Sequence, residues 1–263
     1  MKFVRRHLLT VYAILAFAYL LVPIGVVILF SFNDPAGRFN YTWQGFTLDH
    51  WRNWDGVPGL SNAMVLSIEI ALVASIIATV LGTLIALALV RYGFRGRGAT
   101  NLLIFLPMAT PEIVLGASLL TLFINLNVFL GFTTILIAHI MFCISYIVVT
   151  VKARLIGFDR SLEEAAMDLG ANEWTTFRKV TLPLIAPAIL AGALLSFALS
   201  VDDFVITYFN SGSEITFPLF VWGAARVGAP PQVNVMGTMI FVVAISLMAF
   251  NILLQRRRAA RPA

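Results

Sequence analysis

The sequence predicts an all-α polytopic membrane protein with six transmembrane helices, and three observations indicate this fold class. The 263 residues are only 12% charged and 60% hydrophobic, with about half the charge of an ordinary soluble domain. Several stretches of about 20 or more residues carry no charged side chain, which is the length that crosses a bilayer. Most of the Lys and Arg residues lie between these stretches or at the chain ends.

The helix limits follow from the uncharged stretches and from the Gly, Pro and charged residues between them. The basic N-terminus runs into the first stretch without a small-residue cleavage site, so we interpret this stretch as a membrane helix. The second stretch is long enough to tilt in the bilayer. Pro107 and Pro111 predict a kink in the third. We expect one membrane domain, 1–263, with helices at about 8–32, 62–90, 99–124, 132–151, 184–209 and 233–255.

The distribution of Lys and Arg predicts the orientation of these helices. Six crossings place both termini on one side of the membrane. If that side is the cytoplasm, the cytoplasmic segments hold 15 of the 18 basic residues, and only Arg38, Arg52 and Arg226 lie outside. Such a positive-inside bias predicts a protein of the bacterial cytoplasmic (inner) membrane with both termini cytoplasmic. The net charge of +5 then reflects topology and not nucleic-acid binding.

A polar stretch, 161–183, interrupts the apolar second half of the chain and predicts two short helices. Ser161 can cap the first helix, with Glu164 at the capping-box spacing. Gly170 suits the left-handed residue that ends such a helix. Asn172 can cap the second helix, and Pro183 marks its end or a kink. The charge distribution places this stretch in the cytoplasm.

The spacing within 161–183 resembles the EAA loop of binding-protein-dependent ABC importer permeases. Glu164-Ala165-Ala166, Gly170 and Val180-Thr181-Leu182-Pro183 follow the pattern Glu-Ala-Ala-x3-Gly-x9-Ile-x-Leu-Pro, with Val180 in place of Ile. The resemblance implies a type I ABC importer permease (MetI-like) fold, with this loop as a coupling helix in a groove of the ATP-binding subunit. A capped amphipathic helix on the membrane surface is the alternative. The coupling residues that the resemblance implies are Glu163, Glu164, Ala165, Ala166, Gly170, Glu173, Leu182 and Pro183.

The chain contains no Gly-x4-Gly-Lys-Ser/Thr stretch, so it has no P-loop of its own to bind ATP. The resemblance implies that ATP and Mg bind to a dimer of separate ATP-binding subunits, and that this chain is no enzyme and holds no cofactor. It also implies a second, related permease subunit and an external or periplasmic solute-binding protein. The lone Cys143 and three scattered histidines show no spacing of a metal site.

Four carboxylates fall within predicted membrane helices: Glu69, Glu112, Asp202 and Asp203. A charged side chain costs about 2.5–3.5 kcal/mol or more at the centre of a membrane helix, so each should face protein or a water-filled path. Glu69 lies near a helix end and can reach the interface. Adjacent helix residues point about 100° apart, so one aspartate at most should face a path while the other bonds a neighbouring helix. Since no Lys or Arg lies within a span, we expect the counter-charge from another chain or from the cargo.

A narrower resemblance, along nearly the whole chain, is to the C-type permeases of spermidine/putrescine importers. It rests on Trp43-Gln44-Gly45-Phe46, Pro111-Glu112-Ile113-Val114 and Ser200-Val201-Asp202-Asp203, although that family commonly has Asp at the position of Glu112. The resemblance implies a polyamine as the cargo. Trp51 also matches a family position, but the tryptophans of this outer loop could equally form an interfacial aromatic belt. The pathway residues implied are Trp51, Glu112, Ser200, Asp202 and Asp203.

Alternatives of three kinds stay open on the sequence alone. Importers of iron, thiamine, phosphonate or opines have similar loops. An ion-coupled secondary transporter could use Glu112 and Asp202 as proton or sodium sites, although such folds usually show internal repeats. An intramembrane enzyme needs catalytic groups that face each other, whereas Asp202 and Asp203 are neighbours on one predicted helix.

Overall fold

The computed structural model describes the backbone of residues 2–37 and 39–259 and the side chains of residues 7–37, 39–246 and 249. Every regular element within these residues is helical, which confirms the predicted all-α class. A five-residue π-helix, Phe177–Thr181, joins the short helix Glu173–Thr176 to the long helix Leu182–Asp202. The α-helices are α1 (Lys2–Phe30), α2 (Asp49–Arg52), α3 (Leu60–Arg91), α4 (Arg97–Ala109), α5 (Glu112–Asn125), α6 (Phe132–Ile156), α7 (Ser161–Asp168), α8 (Glu173–Thr176), α9 (Leu182–Asp202), α10 (Val205–Asn210), α11 (Phe217–Val227) and α12 (Pro231–Ala259).

Four of the described segments are long and apolar enough to cross a membrane: His7–Phe30 in α1, then α3, α6 and the continuous segment Glu173–Asp202. The pair α4 and α5 is apolar enough for a fifth crossing, but its halves are bent by 110°. α12 runs over Pro231–Ala259, and its described apolar stretch, Pro231–Ser246, is only part of that helix. The count of six crossings therefore remains a prediction. Arg38, Arg261 and the side chains of the sixth predicted helix beyond residue 249 lie outside the described residues.

The chain divides into two compact units, one of residues up to 61 together with those from 221, and one of residues 62–220. In the first unit α1 packs against α12. The loop that follows α1 is closed by Asn33, whose Nδ2 donates to Asn40 Oδ1 at 2.6 Å and whose Oδ1 accepts from Gln44 N at 2.7 Å. An isolated β-bridge between Asn33 and Phe46 completes this turn. The loop after α1 is therefore an ordered structure around two buried asparagines, Asn33 and Asn40.

The second unit is built on α6, which packs against α9 and α4. Its core includes the fully buried side chains of Cys143, Ile147 and Ile185. Gly82 of α3 approaches α6 so closely that a Cβ on it would lie 2.8 Å from Ile147 Cγ2. Small residues permit such close approach of membrane helices, where packing and not water drives association.

The predicted third helix, 99–124, is two helices and not one kinked helix. Thr110 is extended, with ψ 133°, because Pro111 disfavours the helical conformation in the residue before it. The helix restarts at Glu112 as α5. Pro107 lies inside α4, so the 110° bend belongs to the Thr110–Pro111 step.

The predicted fifth helix, 184–209, also has different limits. On its N-terminal side it continues from α8 through the π-helix, in which Leu182 N donates to the Phe177 carbonyl oxygen. Pro183 therefore does not end the helix. It has no N–H for the regular ladder, and a wider π-turn accommodates that loss. On the other side α9 ends at Asp202, because Asp203 is extended with ψ 121°, and α10 restarts at Val205.

The predicted cap of the first loop helix, Ser161, is wrong. The predicted left-handed turn at Gly170 and the predicted cap at Asn172 are confirmed. Ser161 lies inside α7, and its N–H donates to Asp159 Oδ1 at 3.0 Å. Hydrogen bonds from the Ser161 backbone and side chain lower the pKa of the Asp159 carboxyl, since they favour its charged form. Gly170 is left-handed, with φ +87°. Asn172 caps α8 by accepting from Thr175 N at 2.8 Å.

Candidate functional site

Two helix breaks of the second unit border one cavity. The first separates α4 from α5 at Pro111, and the second separates α9 from α10 at Asp203. α5 packs closely on α10, because a Cβ on Gly116 would already lie 2.8 Å from Phe209 Cδ2. Asn210 Nδ2 lies 3.4 Å from the Gly116 carbonyl oxygen and ties the same two helices together. This packing holds the two breaks in a defined arrangement.

The cavity has a volume of about 260 Å³ and carries exposed carboxylates at both breaks. Glu112 is the first residue of α5 and Asp202 is the last residue of α9. Phe142, Tyr146 and Phe204 provide aromatic walls, and none of the described lining residues is Lys, Arg or His. Negative charge beside aromatic faces attracts organic cations.

Asp203 also borders the cavity, but its carboxylate is buried in a hydrogen-bond network. Its Oδ2 accepts from Thr207 N at 2.8 Å and from Thr207 Oγ1 at 2.7 Å, and its Oδ1 lies 3.4 Å from Ile206 N. Asp203 thereby satisfies the free N–H groups at the start of α10. The same Oδ2 lies 3.3 Å from His139 Nε2 on α6. As expected, one of the two adjacent aspartates bonds a neighbouring helix, and that residue is Asp203.

His139 is the centre of this network and is buried in the middle of α6. Its Nδ1 lies 2.6 Å from Ser200 Oγ and its Nε2 lies 3.0 Å from Thr207 Oγ1. Both ring nitrogens therefore have polar partners, with Nε2 directed at Asp203 and Thr207 and Nδ1 directed at Ser200. The polar partners of Asp203 therefore come from this chain, and the predicted source of a counter-charge for the membrane carboxylates stays a prediction.

His139 is not among the predicted site residues, because a lone histidine does not show the spacing of a metal site. The available signal was a histidine inside a long apolar run, where both ring nitrogens need partners. Such a histidine predicts that polar partners exist, but the sequence does not show which residues they are. Ser200 and Thr207 lie 61 and 68 residues further along the chain, and only the packing of α6 against α9 and α10 brings them together.

The other predicted pathway residues have different surroundings. Ser200 is buried against His139 and does not line the cavity. Trp51 belongs to the first unit, where its ring stacks on Phe32 at a centroid distance of 5.3 Å. Glu69 is exposed on α3 and does not line the cavity either. The structure thus brings Glu112, Asp202 and Asp203 to one cavity, and it gives Ser200 and Trp51 other contacts.

The loop 161–183 exposes one set of its predicted coupling residues. Glu164 and Glu173 are exposed, and between them Leu169 is 90% and Trp174 67% exposed. Large apolar side chains beside carboxylates are typical of a protein–protein contact. Gly170 supplies the left-handed turn between α7 and α8, which no bulky residue adopts without strain. The exposed face includes Ala165 and Pro183 as well.

Another set of the predicted coupling residues faces the protein. The Glu163 side chain is only 13% exposed and forms an ion pair with Arg91, while Thr181 Oγ1 donates to the same carboxylate oxygen. Ala166 and Leu182 are half-buried. Glu163 therefore belongs to the internal structure of the loop, and the sequence pattern alone did not distinguish it from the exposed Glu164.

Comparison with known sequences identifies one family. Residues 78–259 match the family described as binding-protein-dependent transport system inner membrane component. The chain is 39% identical over 254 residues to the spermidine/putrescine transport system permease protein PotC of Haemophilus influenzae. The aligned region covers 96% of this chain and 98% of that protein. The chain is 42% identical over 241 residues to the PotC protein of Escherichia coli K12, with 91% and 90% covered.

Comparison with solved structures confirms the predicted type I ABC importer permease fold. A chain of a bacterial ABC transporter involved in the import of the acidic polysaccharide alginate superposes with a TM-score of 0.66. The superposition covers 95% of this chain and 96% of that one, at 19% sequence identity. Such a low identity compares the fold alone.

Proposed function

Because the chain belongs to the family of binding-protein-dependent transport system inner membrane components, we propose that it is one permease subunit of an ATP-driven polyamine importer. It forms half of the translocation pathway and performs no covalent chemistry. The observation that carries the proposal is the cavity between the two helix breaks, where the carboxylates of Glu112 and Asp202 are exposed and no basic residue lines the described wall.

The cavity suits a linear organic cation. Polyamines carry several ammonium groups separated by short alkyl runs. Glu112 and Asp202 can each accept charge-assisted hydrogen bonds from an ammonium group. Tyr146 and Phe204 offer apolar and cation–π surface to the intervening part of the molecule. Because both carboxylates stay exposed, each contact remains solvated and weak enough to release the cargo.

The cargo is decided by the site and not by the fold. The alginate transporter shares the fold, yet its cargo is an acidic polysaccharide. The two relatives compared above are named for spermidine and putrescine. A wall with carboxylates and no described cationic side chain disfavours anions such as phosphonates, because like charges repel. The wall thus argues against anionic cargoes, and the names of the relatives favour a polyamine over the cationic alternatives thiamine and ferric iron.

The exposed face of the loop 161–183 is the proposed seat of an ATP-binding subunit. Glu164, Ala165, Gly170 and Glu173 lie on this face beside Leu169, which is the most exposed apolar side chain of the loop. ATP and Mg bind in a dimer of such subunits. A second, related permease and a periplasmic solute-binding protein complete the importer. In this arrangement the loop and both termini are cytoplasmic, as the distribution of basic residues predicts.

Uptake by the complete importer tests the proposal. The chain is co-expressed with the ATP-binding subunit, second permease and binding protein of its importer, and the complex is reconstituted in liposomes. We expect ATP-dependent uptake of labelled putrescine or spermidine, with ATPase activity stimulated by the loaded binding protein. Thiamine, ferric iron and a phosphonate serve as competitors. Uptake of one of these solutes without uptake of polyamine would contradict the cargo and leave the importer assignment in place.

A further inference from the structure

An ion pair at the end of α3 joins three elements that are far apart in the sequence. Arg91, the last residue of α3, donates from Nη2 to Glu163 Oε1 in the first turn of α7. Thr181, the last residue of the π-helix, donates from Oγ1 to the same oxygen. Arg91 Nη2 also lies 3.4 Å from Thr181 Oγ1. We call these three residues the Arg91 clamp.

The clamp is shielded from water. Thr181 is fully buried, and the side chains of Glu163 and Arg91 are 13% and 29% exposed. Exposed ion pairs contribute little because water and salt screen them. In a shielded pair the loss of one partner leaves the other charge uncompensated, so each partner holds the other in place.

A second contact ties the loop to the same end of α3. Arg160, directly before α7, lies with Nη2 3.4 Å from the Val90 carbonyl oxygen. Val90 precedes Arg91 in the last turn of α3. The start of α7 is therefore attached to α3 at two points, while the opposite face of the loop, with Glu164 and Leu169, stays exposed.

The clamp also reaches the helix that ends at the cavity. Thr181 is followed without a break by α9, which ends at Asp202. At 1.5 Å per residue this helix is about 30 Å long. A displacement at Thr181 therefore acts on the helix that carries Asp202 at its other end.

We propose that Arg91 is a positioning residue that couples movement of the loop 161–183 to α3 and α9. The proposal rests on the proposed function, since it assumes that an ATP-binding subunit moves the loop. Without the clamp the loop still offers Glu164 and Trp174 to that subunit, but the movement of α7 is no longer tied to α3 and to Thr181 at the start of α9. ATP hydrolysis then continues while uptake falls.

The test measures uptake and hydrolysis together in the reconstituted complex. The variants are Arg91→Gln, Glu163→Gln and the charge exchange Arg91→Glu with Glu163→Arg. We expect labelled putrescine taken up per ATP hydrolysed to fall about two- to thirtyfold in the single variants, the range that coupling mutations typically cover. The charge exchange should restore most of this ratio. Arg95→Gln is the matched control, because Arg95 is exposed in the loop just after α3.

Each outcome decides for or against the clamp. An unchanged ratio in Arg91→Gln overturns it, as does a charge exchange that restores the yield of complex but not the ratio. If the single variants do not assemble, Thr181→Val keeps the ion pair and the side-chain shape while removing the hydroxyl donor. A wild-type ratio in Thr181→Val then overturns the link to α9. A wild-type complex without ATP-dependent uptake contradicts the proposed function, whereas normal wild-type coupling with an unaffected Arg91→Gln contradicts the clamp alone.

Discussion

Asp203 and His139 form a buried pair at the break between α9 and α10, with the carboxylate Oδ2 3.3 Å from the imidazole Nε2. The same carboxylate caps α10 through Thr207. The pair therefore determines where α9 ends, and it leaves the neighbouring Asp202 exposed at the cavity. The two adjacent aspartates have different surroundings because α9 ends at Asp202 and the backbone becomes extended at Asp203, before α10 begins.

Asp203→Asn should destabilise the complex more than Asp202→Asn. Asparagine at 203 loses the charged acceptor for His139 and Thr207, and a buried group left unsatisfied costs about 1–3 kcal/mol. Asp202 is exposed, so an isosteric amide there leaves the packing intact. Thermal unfolding of the purified complex, followed by tryptophan fluorescence, compares the two variants. A melting temperature that falls more for Asp202→Asn would contradict the assignment of the two residues.

His139→Gln should retain most of the assembly and uptake that His139→Leu loses. Glutamine can still donate to Asp203 and accept from Ser200, whereas leucine leaves both without their partner. The cost of leucine is again about 1–3 kcal/mol per unsatisfied group. Complex yield after affinity purification is the first measurement, and uptake per assembled complex is the second. Equal behaviour of the two variants would show that the ring acts only by filling space.

Asp202→Asn and Glu112→Gln should each weaken polyamine uptake without reducing the yield of complex. A hydrogen bond to a charged group contributes about 1.5–3 kcal/mol, so we expect the half-saturating concentration to rise about tenfold or more. Glu69→Gln is the control, because Glu69 is exposed on α3 and does not line the cavity. Uptake of labelled spermidine over a concentration series gives the shift. If both cavity variants match Glu69→Gln, a cationic cargo at this site is excluded.

Gly170→Val should impair transport while the protein still inserts in the membrane. Gly170 has φ +87°, and a left-handed conformation costs about 1–2 kcal/mol for an ordinary L-residue and more for a β-branched one. No neighbouring atom lies within 4 Å of the position that a Cβ would take on this glycine, so the effect comes from the backbone and not from a clash. Gly170→Asn is the matched control, since asparagine tolerates this conformation. Co-purification with the ATP-binding subunit should fall in Gly170→Val and not in Gly170→Asn. Full binding and uptake in Gly170→Val would show that the left-handed turn at Gly170 has no part in coupling.

Cysteine labelling should place the loop 161–183 on the opposite side of the membrane from the outer loops. In a Cys143→Ala background, Tyr41→Cys and Ile215→Cys should react with an impermeant maleimide from outside, and Asp168→Cys should not. Asn40 is unsuitable for this test because its side chain is buried against Asn33 and the Phe30 carbonyl oxygen. Tyr41, Ile215 and Asp168 are exposed. Labelling of Asp168→Cys from outside intact cells would reverse the proposed topology.

The sequence predicted the features that depend on neighbours along the chain. Gly170 and Asn172 act as predicted, because a left-handed turn and a helix cap are interactions within about four residues. Ser161 failed as a cap because Asp159, two residues earlier, accepts from the Ser161 N–H group and the helix begins around it. Pro111 was recognised as a distortion, but its size, a 110° bend, accompanies the packing of α4 on α6 and of α5 on α10.

The sequence by itself determined the helical class, the apolar segments, the family resemblance and the carboxylates that border the cavity, since hydropathy and motif spacing are properties of the chain. Only the tertiary structure decided that Asp202 is exposed and Asp203 buried, that His139 holds the break, and that Glu163 faces inward to Arg91 while Glu164 faces out. These contacts join residues 61 to 72 positions apart in the chain. No periodicity encodes such a pair, because its geometry is set by how whole helices pack and where they break.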